Sequence, residues 1–172
     1  TSPLSPAGVA LAWTKLESEV SDAELEAMIA RAAPFSAERV WVQLAGNVCT
    51  SALRALAFAL ACAPEVLAKP SRRDPALARA IAARMPEVRL VDALDPAPED
   101  GLHLYGHDTT LARTSTRGDR VLRFGSGFGV AVVDEPSDAT IEALRDDLVV
   151  FDGAGCLSPR VVLSPRPRDM FE

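Results

Sequence analysis

Short, uniformly apolar runs recur along this chain with stretches of helical length between them, and that alternation restricts the fold more than any other feature. Val40 to Leu44 (VWVQL) reads as a strand, Thr50 to Cys62 as an Ala/Leu-rich buried helix, and Glu65 to Lys69 as a second strand stopped by Pro70-Ser71. Asp74 then caps a helix to Arg84, with Pro75 at the first position, where a missing N–H costs nothing. Val88 to Val91 is a third strand, followed by the acidic, proline-bearing loop Asp92 to Gly101. Leu102 to Tyr105 is a strand and Asp108 to Thr116 a short helix. Val121 to Phe124 and Val130 to Val133 read as strands joined by Gly125-Ser-Gly127, and Ser137 caps a helix to Asp147. Strands that are apolar throughout need cover on both faces, which parallel βαβ units provide. The expected class is therefore α/β: a doubly wound, mostly parallel sheet with helices on both faces and its ligand site beyond the strand C-termini.

Ahead of this core, Ser21-Asp-Ala-Glu24 is a capping box, so a helix should run to about Ala33 and end at Pro34. The first dozen residues carry two prolines and read as a loose arm. Three segments follow from this organisation: an N-terminal arm and helix over 1–34, an α/β domain over 35–151, and a loop with the start of something further over 152–172. The final residues, Asp169-Met-Phe-Glu172, read like the opening of a helix cut short, so a fragment or a shortened relative is expected.

The core must be built mostly from Ala, Val and Leu, because only 5% of the residues are aromatic while 48% are hydrophobic. A net charge of −6 argues against nucleic acid or an anionic membrane as the main partner. The longest apolar run, Ser51 to Ala63, contains Arg54 and is too short to span a bilayer, and no signal peptide is visible. Cys49, Cys62 and Cys156 are odd in number and widely spaced, which suits neither a disulfide framework nor a zinc site. Reduced thiols in a cytoplasmic protein, with no metal, are the expectation.

The usual nucleotide signatures are absent. Gly125-Ser-Gly127-Phe-Gly129 is followed by a strand, not the helix that a dinucleotide fingerprint requires, so a hairpin-like turn is the better reading. Lys69 and Ser71 end a strand at the ligand edge, where a cation and a hydroxyl can meet a ribose or phosphate; a solvated Lys before a turn is the plainer reading. Asn47 follows the first strand at the same edge and can donate to an oxyanion, although Asn also occupies turns for its backbone tolerance alone. Cys49 and Cys62 fall on or beside an apolar helix, where inert thiols are the default. Cys156 differs, because Gly153-Ala-Gly155 before it and Ser158-Pro159 after it put the sulfur on a constrained loop. There a backbone nest can lower its pKa. His103 and His107 read as structural.

In order, Ala45-Gly46-Asn47, Lys69-Pro70-Ser71 with Asp74-Pro75, Tyr105-Gly106-His107-Asp108, and Gly155-Cys156-Leu157-Ser158-Pro159 resemble the acyl-CoA reductases of the bacterial-luminescence type, within the aldehyde dehydrogenase superfamily. The similarity runs from about Val40 to Leu163. The resemblance implies the Rossmann-like cofactor domain of that superfamily and NAD(P)H-dependent reduction of an acyl thioester to an aldehyde. Cys156 would take the acyl group from acyl-CoA or an acyl carrier, and Asn47 would help hold the oxyanion. Lys69 and Ser71 would face the adenosine ribose of NADP or NAD, while Gly106 and Thr109 would lie at the pyrophosphate or nicotinamide half. Arg72 and Arg73 favour a 2′-phosphate. Where aldehyde-oxidising relatives place a Glu to activate water, this chain reaches Arg123, which cannot act as a base. That departure fits a reductase and equally a catalytically inactive nucleotide-binding or assembly module. A sheet lacking its neighbouring domain should expose an apolar face, so a homo-oligomer is expected.

Overall fold

The computed structural model describes residues 4–19, 21–48, 50–114, 120–155 and 158–165. Its centre is a five-stranded parallel sheet formed by β1 (Arg39–Gln43), β2 (Glu65–Lys69), β3 (Val88–Leu90), β4 (Gly101–Tyr105) and β5 (Val121–Phe124), in the spatial order β3-β2-β1-β4-β5. The expected doubly wound α/β class is borne out. Parallel pairing sends every strand's C-terminus to one rim, and the order reverses between β1 and β4. A topological switch of this kind opens a crevice between the loops that follow those two strands.

The two faces are covered unequally. Val40 and Val42 of β1, Val66 and Ala68 of β2, and Val88 of β3 pack against α2 (Asp22–Ala32), α3 (Ser51–Cys62) and α4 (Ala76–Ala82). The helix side of this contact is largely alanine: Ala32, Ala52, Ala55 and Ala59 let helix and sheet backbones approach closely. Trp41, Leu102 and Leu104 point to the other face, covered by Leu111 of the short helix α5 (Asp108–Arg113) and by Leu94. His103 alternates to the α3 side, 1% exposed, with its ring 5.4 Å from that of Phe58. Burial pushes its pKa down to about 4; the expected structural role fits this placement.

At the opposite, N-terminal rim a polar ladder crosses the strands. Asp100 accepts from Arg39 Nε at 3.2 Å, Trp41 Nε1 at 2.8 Å and Ala97 N at 3.0 Å. Glu65 bridges Arg39 and Arg89. Burial by itself raises the Asp100 carboxyl, but those donated hydrogen bonds and the Arg39 charge outweigh it and hold the group below its usual range.

Several expectations need correction. The N-terminal stretch is not a loose arm: α1 (Pro6–Glu19) is a helix of 14 residues. Pro6 stands at the first helical position, where proline is tolerated, so it starts the helix instead of breaking it. The capping box at Ser21 forms as read, with Glu24 closing it. Asp74 does not cap α4; Pro75 is the cap residue and no side chain bonds there. Gly125 to Phe128 do not form a hairpin turn. β6 (Gly129–Val132) leaves β5 behind and pairs in parallel with β7 (Pro159–Leu163) in a separate two-stranded sheet. The Asp108 carboxylate takes the Ser126 N–H at 2.9 Å, so the chain is held at the rim of the first sheet before it turns away. Between these strands, Ser137 caps α6 (Asp138–Val149), accepting from Thr140 N at 3.2 Å.

Candidate functional site

All of the rim loops converge where the parallel strands end. Gln43 and Lys69 are register partners at the last position of β1 and β2, and the Lys69 carbonyl accepts from Leu44 N at 3.0 Å. Just past them the loops touch. A Cβ placed on Gly46 would sit 2.1 Å from Ser71 Oγ and 2.7 Å from Ser71 Cβ, so only glycine allows this approach. Ser71 Oγ also accepts from Arg73 N at 3.2 Å, closing a small turn. Lys69 and Ser71 are half-buried, and Arg72 and Arg73 are exposed.

Asn47 reaches furthest. Its Nδ2 donates to the carbonyl of Ala154 at 3.1 Å, a contact between residues 107 positions apart. The loop after β1 is thereby joined to the segment that runs into Cys156. Cys156 and Cys49 lie outside the described residues. Cys62 is buried at 2% exposure, its Sγ 3.8 Å from the Ala32 carbonyl oxygen, and burial pushes its thiol up.

Across the switch point, Gly106 follows β4, and a side chain beginning there would be in ordinary van der Waals contact with its neighbours. The position of a Cβ there is 3.8 Å from Gln43 Nε2 and 3.8 Å from Leu111 Cδ2. His107 caps α5, with Nδ1 accepting from Thr109 N at 3.4 Å and lying 3.0 Å from Thr109 Oγ1. Thr109 is exposed and already engaged by that imidazole. Tyr105 and Phe124 stack in parallel at 4.4 Å on the ends of β4 and β5, and burial raises the Tyr105 phenol. Arg123 Nη1 donates to the Leu111 carbonyl at 3.0 Å, tying β5 to α5.

Four further residues at this rim have no site role in the sequence reading. Gln43 is 8% exposed at the switch point. Asp108 fastens the loop after β5. Asp74 Oδ2 and Ser51 Oγ are buried without a hydrogen-bond partner among the described residues, and both follow the C-termini of strands at this rim. The proline after Asp74 was a visible signal, but it pointed to a helix cap. No three His, Cys, Asp or Glu side chains cluster to hold a metal among the described residues.

The fold of this chain is shared by solved structures that include an aldehyde dehydrogenase. Solved structures sharing it include HpcC from Thermus thermophilus (TM-score 0.62, 18% identity, 77% of this chain, 30% of that one). AldH from Staphylococcus aureus, in a substrate-bound state, matches with TM-score 0.56 and 15% identity over 78% of this chain and 34% of its own. A variant of aldehyde dehydrogenase C from Pseudomonas syringae, in complex with NAD+ and octanal, matches with TM-score 0.54 and 18% identity over 77% and 32%. The chain thus spans about a third of the length of these structures. Residues 95–168 match the model of the acyl-CoA reductase (LuxC) family, which bears out the resemblance read from the motifs. No curated protein matches by sequence. Among the described residues, no helix is long and apolar enough to cross a membrane.

Proposed function

We propose that this chain is the cofactor-binding part of an NAD(P)H-dependent acyl reductase that converts an acyl thioester to an aldehyde through Cys156. The observation that carries the reading is the Asn47–Ala154 hydrogen bond. It joins an amide at the switch point to the backbone two residues before the thiol, inside the stretch that matches the acyl-CoA reductases. In this mechanism the Cys156 thiolate attacks the acyl carbonyl and expels the thiol of acyl-CoA or an acyl carrier. The second N–H of the Asn47 amide, not needed by Ala154, donates to the developing oxyanion. A nicotinamide cofactor supplies the hydride that reduces the resulting thioester. A reduced, cytoplasmic setting, which keeps Cys156 a thiol, belongs to the same proposal.

The rim suits such a cofactor. Two buried polar atoms there, Asp74 Oδ2 and Ser51 Oγ, lack partners among the described residues, and a leftover acceptor and hydroxyl are what a bound ribose or phosphate satisfies. Lys69 and Ser71 would hold the adenosine ribose, with Asp74 accepting from a hydroxyl. Exposed Arg72 and Arg73 favour NADP through its 2′-phosphate. Gly106, lacking a side chain, would let the pyrophosphate or nicotinamide half approach beside Thr109.

Intact-mass analysis after incubation with acyl-CoA tests the chemistry: a thioester adduct is expected, and it must vanish in Cys156→Ser. NADPH should raise the melting temperature, and Lys69→Ala should weaken that shift. A second reading, a nucleotide-binding or assembly module without catalysis, draws on Arg123, whose guanidinium is spent on the Leu111 carbonyl. NADPH stabilisation without any adduct would select it. Self-association through the second sheet is part of either reading.

A further inference from the structure

Two helices near the N-terminus begin with serine, and they close their caps in different ways. At α2 the arrangement is local: Ser21 Oγ accepts from Glu24 N at 3.3 Å, and the Glu24 carboxylate accepts from Ser21 N at 2.8 Å. At α1, Ser5 Oγ accepts from Gly8 N at 3.0 Å, and the Ser5 carbonyl from Val9 N at 2.9 Å. The residue that should carry the reciprocal carboxylate is Gly8, which has none. Asp152 supplies it instead, from 147 positions away, accepting from Ser5 N at 2.6 Å and from Ser5 Oγ at 2.9 Å. The absence of a side chain at Gly8 is what admits it, because a Cβ there would lie 2.7 Å from both carboxylate oxygens of Asp152.

Asp152 is also one of the chain's unusual backbone positions. Its φ is +50° and that of Gly153 is +67°, so the chain reverses sharply just before Ala154, Gly155 and Cys156. A left-handed aspartate carries strain that persists only where the surroundings hold it. Two contacts hold it here: the α1 cap on one side, and the Asn47 amide on the Ala154 carbonyl at 3.1 Å on the other.

We propose that α1 is a positioning element for the nucleophile loop, and that Asp152 is the positioning residue, completing a capping box split across the chain. This rests on the reading of Cys156 as the nucleophile. The N-terminal helix thereby acts on a thiol it is remote from in sequence, through the backbone of residues 152–155.

The test uses two variants of the full 172-residue chain. Gly8→Glu provides α1 with its own carboxylate, as at α2, and fills the space that Asp152 occupies; Asp152→Ala simply removes the partner. By hydrogen exchange, Gly8→Glu is expected to keep protection in the first turn of α1 while residues 153–155 exchange about tenfold faster. Asp152→Ala should lose protection at both places. Iodoacetamide alkylation of Cys156, read by peptide mass against buried Cys62, supplies the second readout. In both variants its pH midpoint should rise by about half a unit, a roughly threefold loss of thiolate near neutral pH. A contact that only anchors α1 would lower the melting temperature and leave that midpoint in place, which overturns the positioning role. Unchanged exchange at 153–155 in both variants overturns the latch itself. If the wild-type midpoint is that of an ordinary thiol while the variants still release the loop, the nucleophile reading fails and the latch stands.

Discussion

Acidification from pH 7 to pH 5 should destabilise this protein through one buried imidazole. His103 is 1% exposed, packed against Phe58, and its Nδ1 has no hydrogen-bond partner among the described residues. Burial lowers its pKa from 6.5 to about 4. A depressed folded-state pKa means that the unfolded chain binds the proton first. The stabilisation is therefore complete above pH 6.5 and is lost as the pH falls toward 4. Linkage gives a loss of about 2 kcal/mol between pH 7 and pH 5, approaching about 3 kcal/mol once the folded imidazole is also protonated. Urea denaturation at the two pH values measures it. His103→Leu, similar in volume and unable to titrate, should abolish the difference while retaining the fold. Asp100, depressed in the opposite chemical sense, contributes stability that disappears only below the ordinary carboxylate range and does not confuse this window. If the loss persists undiminished in His103→Leu, or NMR shows the His103 imidazole titrating near 6.5, the reasoning is refuted.

Other outcomes are open to direct measurement. Asp100→Asn weakens the acceptor shared by Arg39, Trp41 and Ala97 and should lower the midpoint of denaturant unfolding; an unchanged midpoint counts against the ladder. Gly46→Ala drives a methyl into Ser71 and should cost about 1–3 kcal/mol through overpacking. The same variant should weaken NADPH-induced thermal stabilisation, and an unchanged melting curve would mean that the two loops yield freely. The sheet of β6 and β7 leaves Val132 76% and Leu163 53% exposed. Sedimentation should show concentration-dependent association that Val132→Lys reduces, and a clean monomer for the parent chain removes that expectation.

The main elements were legible because each depends on neighbours in sequence. Apolar runs such as VWVQL and EVLAK could only be doubly covered strands, and the Ser21–Glu24 box is closed within one turn. The rim assignments of Asn47, Lys69 and Ser71 followed from their places at or just after strand ends, since parallel pairing carries all such ends to one side. The misread elements have their partners far away. The start of α1 looked like a proline-broken arm because its capping carboxylate, Asp152, lies 147 positions distant. The glycine block after β5 looked like a hairpin because nothing local reveals that β6 pairs with β7.

Periodicity, turn residues and local caps thus determined the α/β alternation, the parallel sheet and the rim where the strand C-termini gather, since these express short-range sterics and side-chain alternation. Tertiary structure alone decided the strand order with its switch at β1 and β4, the second sheet, the Gly46–Ser71 contact and the grip of Ser5 and Asn47 on residues 152–154. Such contacts are made by groups whose separation along the chain bears no relation to their separation in space. Only the packed sheet brings them within hydrogen-bonding distance.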